Sequence, residues 1–135
     1  MYEDLTEFVT QDTSNTTITI VGTNADLGPH ENYVKLAHLA SLGQARAIYP
    51  VNLSQDGDTV FVFSNKEIKE PLNSRREFFS GPNDILYFVT DIIGHAAAKA
   101  VQESIYSACR EAETISFEDG YQGVIPSCKD YPARN

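Results

Sequence analysis

Apolar and polar positions along the chain fall into two strand-like and two helix-like stretches. The first, Thr16-Thr17-Ile18-Thr19-Ile20-Val21-Gly22-Thr23, is β-branched at nearly every position and predicts a strand. Asp26-Leu27-Gly28-Pro29 reads as a turn, with Pro29 suited to the first turn of a helix that runs to about Ala47. Ala37, Leu39, Ala40, Gly43 and Ala47 place small apolar groups at three- and four-residue steps, which suits close helix packing. After Tyr49-Pro50 an irregular stretch leads through Asp56-Gly57-Asp58 to a second strand at 59–64. Its alternation sets Phe61 and Phe63 on one face and Val60 and Val62 on the other, so both faces need cover.

A charged connection from Asn65 to about Asn83 carries Pro71 and Gly81-Pro82. The last large element is a helix from about Asp84, expected as its N-cap, to about Glu113. Ile85, Val89, Ile92, Ala96, Ala100, Ile105 and Ala108 give it an apolar stripe. The tail from Ser116, with Gly120, Gly123, Pro126 and Pro132, reads mostly as loop. The first fifteen residues are polar and acidic and read as an arm or linker. The order strand–helix–strand–helix predicts an α/β protein. Two strands make a meagre sheet, and the uncovered face implies a second copy or a different chain.

At 135 residues, 41% hydrophobic and 21% charged, the chain has the composition of one globular domain. No apolar run approaches the ~20 residues that cross a bilayer. The start, Met1-Tyr2-Glu3-Asp4, is acidic where a leader peptide is basic, so a cytoplasmic protein is expected. Ten Lys and Arg against nineteen Asp and Glu give a net charge of -9. With no basic cluster beyond Arg75-Arg76, nucleic acid and anionic membranes are not expected partners. Cys109 and Cys128 are too far apart for a CxxC motif and read as two reduced structural thiols.

His30, His38 and His95 are scattered, without ligand spacing, and are assigned surface or packing roles. Asp56-Gly57-Asp58 resembles the start of a calcium loop, but Phe61 stands where that loop requires glycine. Phosphate-cradling glycine motifs are absent as well, so no cofactor is expected. Ser14-Asn15-Thr16-Thr17 has three readings: a polar linker running into a strand, a glycosylation sequon, or a cleavage junction. The third has a chemical rationale. A Thr hydroxyl becomes a good nucleophile when its own α-amine, with a pKa near ~8, serves as the base. That amine is freed if the hydroxyl attacks the preceding carbonyl, here that of Asn15, and water hydrolyses the resulting ester.

A resemblance bears on that choice. Asn15-Thr16-Thr17, Thr23-Asn24-Ala25, Gly43 with Ala45-Arg46-Ala47-Ile48, Pro50, and Asp56-Gly57-Asp58-Thr59-Val60-Phe61 resemble the autoprocessing junction of the DmpA-type aminopeptidases. This family comprises L-aminopeptidase/D-amidase-esterases and β-peptidyl aminopeptidases. Ala97-Ala98 through Ala112-Glu113-Thr114-Ile115 and Asp119-Gly120 are similar to the family's last helix and chain end. Departures are Ser41-Leu42 for a common His-Asp, Asn52 for a frequent His, Ser107 for a frequent Asn, and Phe117-Glu118 for Gly-Arg.

The resemblance implies cleavage between Asn15 and Thr16, with Thr16 as nucleophile and new N-terminus. It places Asp56 and Asp58 beside Thr16, where carboxylates would polarise the hydroxyl or ammonium and receive a substrate's amino group. Residues 1–15 then become the pre-cleavage arm, and 16–135 a small-subunit-like domain. The implied fold is part of a four-layer αββα sandwich, here two to four strands with two helices on one sheet face. The implied function is hydrolysis of N-terminal residues from small peptides, amino-acid amides or esters through a Thr acyl-enzyme, in an oligomer. Family precursors are much longer, and their large subunit supplies most of the substrate pocket and oxyanion donors; one such donor alone is worth ~10²–10³ in rate. The chain is therefore expected to need a large subunit or a second copy of itself. A non-catalytic relative serving as an oligomerisation module is the alternative.

Overall fold

β1 (Ile18–Ala25) forms where the β-branched run predicts it. It pairs in parallel with β2 (Thr59–Ile68), in a register that sets Ile18 against Thr59, Ile20 against Phe61 and Gly22 against Phe63. The structure, a computed structural model, describes residues 16–69, 81–116 and 123–130. The arm at 1–15, the Asp119-Gly120 chain end and the side chain of Ile85 lie outside the described residues.

Between the strands runs α1 (His30–Ala47), and after them α2 (Pro82–Glu111). Pro29 is the N-cap of α1 rather than a member of its first turn. For α2 the expected cap is displaced by three positions. Gly81 is the N-cap, Pro82 follows it, and Asp84 lies in the first turn, its N–H donating to the Gly81 carbonyl at 3.2 Å. Proline's fixed φ and missing donor favour this start, and the Asp84 carboxylate still meets the positive end of the helix dipole. β2 continues past its expected end at Ser64. The register slips between Thr23 and Ala25, the Ser64 hydroxyl donates to the Ala25 carbonyl at 2.7 Å, and Ala25 pairs with Ile68. A two-residue antiparallel pair, β3 (Ile115–Ser116) with β4 (Val124–Ile125), orders part of the tail read as loop.

The inner sheet face, with Val21, Val60 and Val62, packs on a core of Ala25, Leu27, Leu36, Ala40, Val89, Ala97 and Val101. α1 lies on this face and α2 packs along α1. Gly43 makes the helix contact possible, because a Cβ there would strike the Ala98 carbonyl oxygen and stand 2.8 Å from the Val101 Cβ. That contact selects which stripe of α2 turns inward. Val89, Ile93, Ala97, Val101 and Ile105 face the core, whereas the expected stripe members Ile92, Ala96, Ala100 and Ala108 are exposed. Alanines on several faces of α2 leave more than one stripe plausible, and the close approach at Gly43 decides between them.

The other sheet face is bare among the described residues. Ile18, Ile20, Phe61 and Phe63 retain 65%, 69%, 57% and 60% of their accessible surface. The Phe63 ring lies across Gly22, whose absent Cβ would otherwise stand 2.8 Å from it.

Candidate active site

The beginning of β1 and the loop that delivers the chain into β2 meet at one end of the sheet. Parallel pairing dictates this, since both strands start from the same edge and Thr59 N–H donates to the Thr17 carbonyl at 3.0 Å. The loop from Tyr49 to Asp58 holds its shape by hydrogen bonds to its own backbone. Tyr49-Pro50 is a cis peptide, and Asn52 takes a left-handed φ of 57°, a conformation that Asn tolerates better than most residues. Asp56 Oδ2 accepts the Leu53 N–H at 2.7 Å, while the Asp56 N–H returns to the Leu53 carbonyl at 3.0 Å.

Asp58 joins the loop to the strand. One carboxylate oxygen accepts the Thr17 N–H at 2.6 Å and the other accepts the Asn52 N–H at 2.8 Å. The Asn52 bond is the main reason the Asp58 carboxyl is held below the ordinary carboxylate range; partial burial opposes it, and the Thr17 N–H and hydroxyl reinforce it. Asp58 is thus an anion positioned one residue beyond Thr16. The Thr16 side chain is exposed, with its hydroxyl against Gly57, where a Cβ would come within 2.7 Å of Oγ1. The structure therefore gathers Thr16, Gly57 and Asp58 at one point. It sets Asp56 a step away, bonded into the turn at Leu53. Asn15 lies outside the described residues.

Two residues at this end were not singled out from sequence as functional. Asn52 supplies the second N–H to Asp58 from its backbone, a contact that its side-chain identity does not signal. Gln44 is fully buried in α1, beneath the start of β1. Its Nε2 donates to Thr19 Oγ1 at 3.0 Å and to the Thr17 carbonyl at 3.4 Å, while its Oε1 has no hydrogen-bond partner among the described residues. A glutamine between Gly43 and Ala45 breaks the run of small apolar residues on α1, and that break was the available signal.

The three histidines are exposed. Among the described residues, no group of three or more His, Cys, Asp or Glu side chains is gathered as a metal site, and no helix is long and apolar enough to cross a membrane.

Comparison with known proteins agrees with the resemblance drawn from the motifs. An uncharacterized aminopeptidase of Mycobacterium leprae (strain TN) is 30% identical over 112 residues, covering 83% of this chain and 30% of the relative. The chain thus spans about a third of the length of that relative. No solved structure matches the chain. The model of peptidase family S58 matches residues 2–123, which takes in β1 to β3, both helices and the Thr16–Asp58 junction. By that match the chain belongs to peptidase family S58.

Proposed function

We propose that this chain is the nucleophile-bearing part of an autoprocessing aminopeptidase or amidase. Residues 1–15 are the pre-cleavage arm, and residues 16–135 form the small-subunit domain. In this reading the Thr16 hydroxyl attacks the Asn15 carbonyl, and hydrolysis of the ester frees the Thr16 α-amine. In turnover that amine takes the hydroxyl proton as Oγ1 attacks the substrate carbonyl. It returns the proton to the leaving amine, and water then releases the acid from the Thr ester. Asp58 fixes the strand behind the nucleophile and adds negative charge that favours an ammonium nearby. Asp56 shapes the loop and lies close enough in sequence to join in holding a substrate's amino group. Substrates are small peptides, amino-acid amides or esters.

The observation that carries this reading is the seat of the Thr16 hydroxyl on Gly57, beside a carboxylate already committed to the next backbone N–H. The bare sheet face supports the remainder. Ile18, Ile20, Phe61 and Phe63 are apolar and exposed, as the inner layer of a four-layer αββα sandwich would be before its second sheet is added. The chain equivalent to the other two-thirds of the relative would supply that sheet and the oxyanion donors.

The test pairs mass with turnover. The protein is incubated alone and with a candidate large subunit, then examined by intact mass and assayed on amino-acid p-nitroanilides. A new N-terminus at Thr16, with turnover abolished in Thr16→Ala, is the expected result. Turnover unchanged in Thr16→Ala overturns the proposal. An intact Asn15–Thr16 bond in an active preparation overturns the autoprocessing step.

A further inference from the structure

Side chains on a strand alternate between its two faces, and exposure along β1 keeps that rhythm back to its entry. Thr16, Ile18 and Ile20 are exposed, whereas Thr17, Thr19 and Val21 between them are half-buried. Thr19 meets Gln44 of α1, and Val21 packs on the core. The Thr17 carbonyl already accepts the Thr59 N–H, so the chain is on the ladder one residue before β1 begins. Thr16 therefore stands on the bare sheet face, about 7 Å along the strand from Ile18. Across the sheet Thr59 lies opposite Ile18, and its hydroxyl is occupied, donating to the Gly57 carbonyl at 3.0 Å. The positions next to Thr16 on this face, Ile18 and Thr59, carry no charge. The carboxylates lie on the loop side: Asp56 accepts the Leu53 N–H, and Asp58 those of Thr17 and Asn52. Thr16 thus sits at a boundary between an anionic loop and an apolar sheet.

We propose that Ile18 is a specificity-determining residue of the hydrolysis, the wall against which the side chain of the substrate's N-terminal residue packs. The inference rests on Thr16 as the nucleophile. In such a substrate the α-amine and the side chain diverge from the carbon next to the carbonyl under attack. With that carbonyl at Thr16 Oγ1 and the amine turned to the acidic loop, the side chain falls on the opposite side, over Ile18. Ile18 keeps 65% of its accessible surface, so it has apolar area to offer. An apolar side chain gains by covering that area, and glycine forgoes the gain. A charged side chain set there loses water without finding a partner. The bare face is thereby divided. Ile18, at the end that carries Thr16, serves the substrate, while Ile20, Phe61 and Phe63 further along serve the second sheet.

The test compares substrates within one preparation of the chain assembled with its large subunit. kcat/KM is measured on leucine, glycine and arginine p-nitroanilides. A ratio of two such values does not depend on how much of the chain is assembled, so a variant that only weakens docking leaves it unchanged. The wild type is expected to favour leucine. Ile18→Ala should lower the leucine-to-glycine ratio by about 10-fold, the scale on which an apolar pocket discriminates. Ile18→Glu should raise arginine relative to leucine by about 10-fold or more. Phe63→Ala, about 13 Å further along the same face, should leave both ratios as they were. A wild type that favours glycine or arginine, a leucine-to-glycine ratio unmoved by Ile18→Ala, or one moved as far by Phe63→Ala would each overturn the role of Ile18 and leave that of Thr16 intact. Turnover absent from the assembled wild type, or surviving Thr16→Ala, would overturn the nucleophile and the role of Ile18 with it.

Discussion

The Thr17 N–H donates to Asp58 at 2.6 Å, across 41 positions of sequence, and so anchors the residue after Thr16 to the loop that opens β2. The bond is charge-assisted, and Asp58 spends its second oxygen on Asn52. Replacing Asp58 by Asn keeps the shape and one acceptor but loses the charge. We expect a stability loss of about 1–3 kcal/mol, read from urea unfolding. The pH dependence has a definite sign. A carboxyl depressed in the folded state stabilises the fold fully above about pH 4, and that contribution is lost as the pH falls further through the folded value. Asp26 and Asp130 are also depressed, by the Gly28 N–H and the Thr114 hydroxyl respectively, so Asp58→Asn should lessen the acid-side slope without flattening it.

Gly57 offers a cleaner separation of chemistry from folding. It is exposed, so a methyl there displaces little except the Thr16 hydroxyl. Gly57→Ala should therefore change stability by no more than about 0.5–1 kcal/mol. Turnover, or the rate of Asn15–Thr16 cleavage, should fall by about 10²-fold, the usual effect of moving a reacting group by roughly 1 Å. Equal losses in Tm and rate would mean that Gly57 serves the fold alone.

The two long strands are legible in the sequence, and the differences elsewhere have physical causes. The β-branched run at 16–23 and the alternation at 59–64 announce strands because side chains on a strand have a period of two, which few other structures share. The resemblance sets Asp56 and Asp58 beside Thr16 but does not name Gly57, whose contact with the Thr16 hydroxyl comes from the structure, since composition says nothing about which loop a strand end will meet. The buried stripe on α2 differs from the expected one because Ala96-Ala97-Ala98 is apolar on several faces, so the choice belongs to the partner helix and its glycine. The role of Gln44 is not legible in the sequence for a related reason. Its role depends on what lies above it, and a polar residue amid small apolar ones does not name its partner.

The bare sheet face makes a prediction that separates association from folding. Truncating exposed side chains in the isolated chain should shift stability by about 0.5 kcal/mol or less. If the face docks on a second sheet, those side chains become the centre of an interface, where each large apolar anchor is worth ~2 kcal/mol. Ile20→Ser with Phe61→Ser should then weaken binding of the large subunit by at least about 10²-fold, measured by calorimetry or by co-elution, with the Tm of the chain alone little changed.

At the helix contact the expected effect is on folding alone. A methyl at Gly43 meets the Ala98 carbonyl, which belongs to a helix backbone and cannot swing aside as a side-chain tip would. Alanine normally gains about 1 kcal/mol over glycine inside a helix. Here the clash should reverse that gain and leave Gly43→Ala destabilised by about 1–3 kcal/mol. A lower urea midpoint with an unchanged slope would report this; a raised midpoint would show that the helices move apart freely.

Gln44 presents two opposed terms that a single substitution can weigh. Its Nε2 supports the Thr19 hydroxyl and the Thr17 carbonyl, while its buried Oε1 lacks a partner among the described residues. The carbonyl already accepts from Thr59, so only Thr19 would be left unsupported by Gln44→Leu. Removing an unpartnered buried oxygen recovers a cost of about 1–3 kcal/mol, and losing one neutral hydrogen bond forfeits about 0.5–1.5 kcal/mol. Gln44→Leu should therefore be neutral or slightly stabilising in thermal unfolding. The same change releases a tether on the strand that carries Thr16, so turnover or self-cleavage should slow even as Tm holds or rises. If both fall together, the glutamine is a packing residue; if only the rate falls, it positions the nucleophile strand at the expense of its own unpaired oxygen.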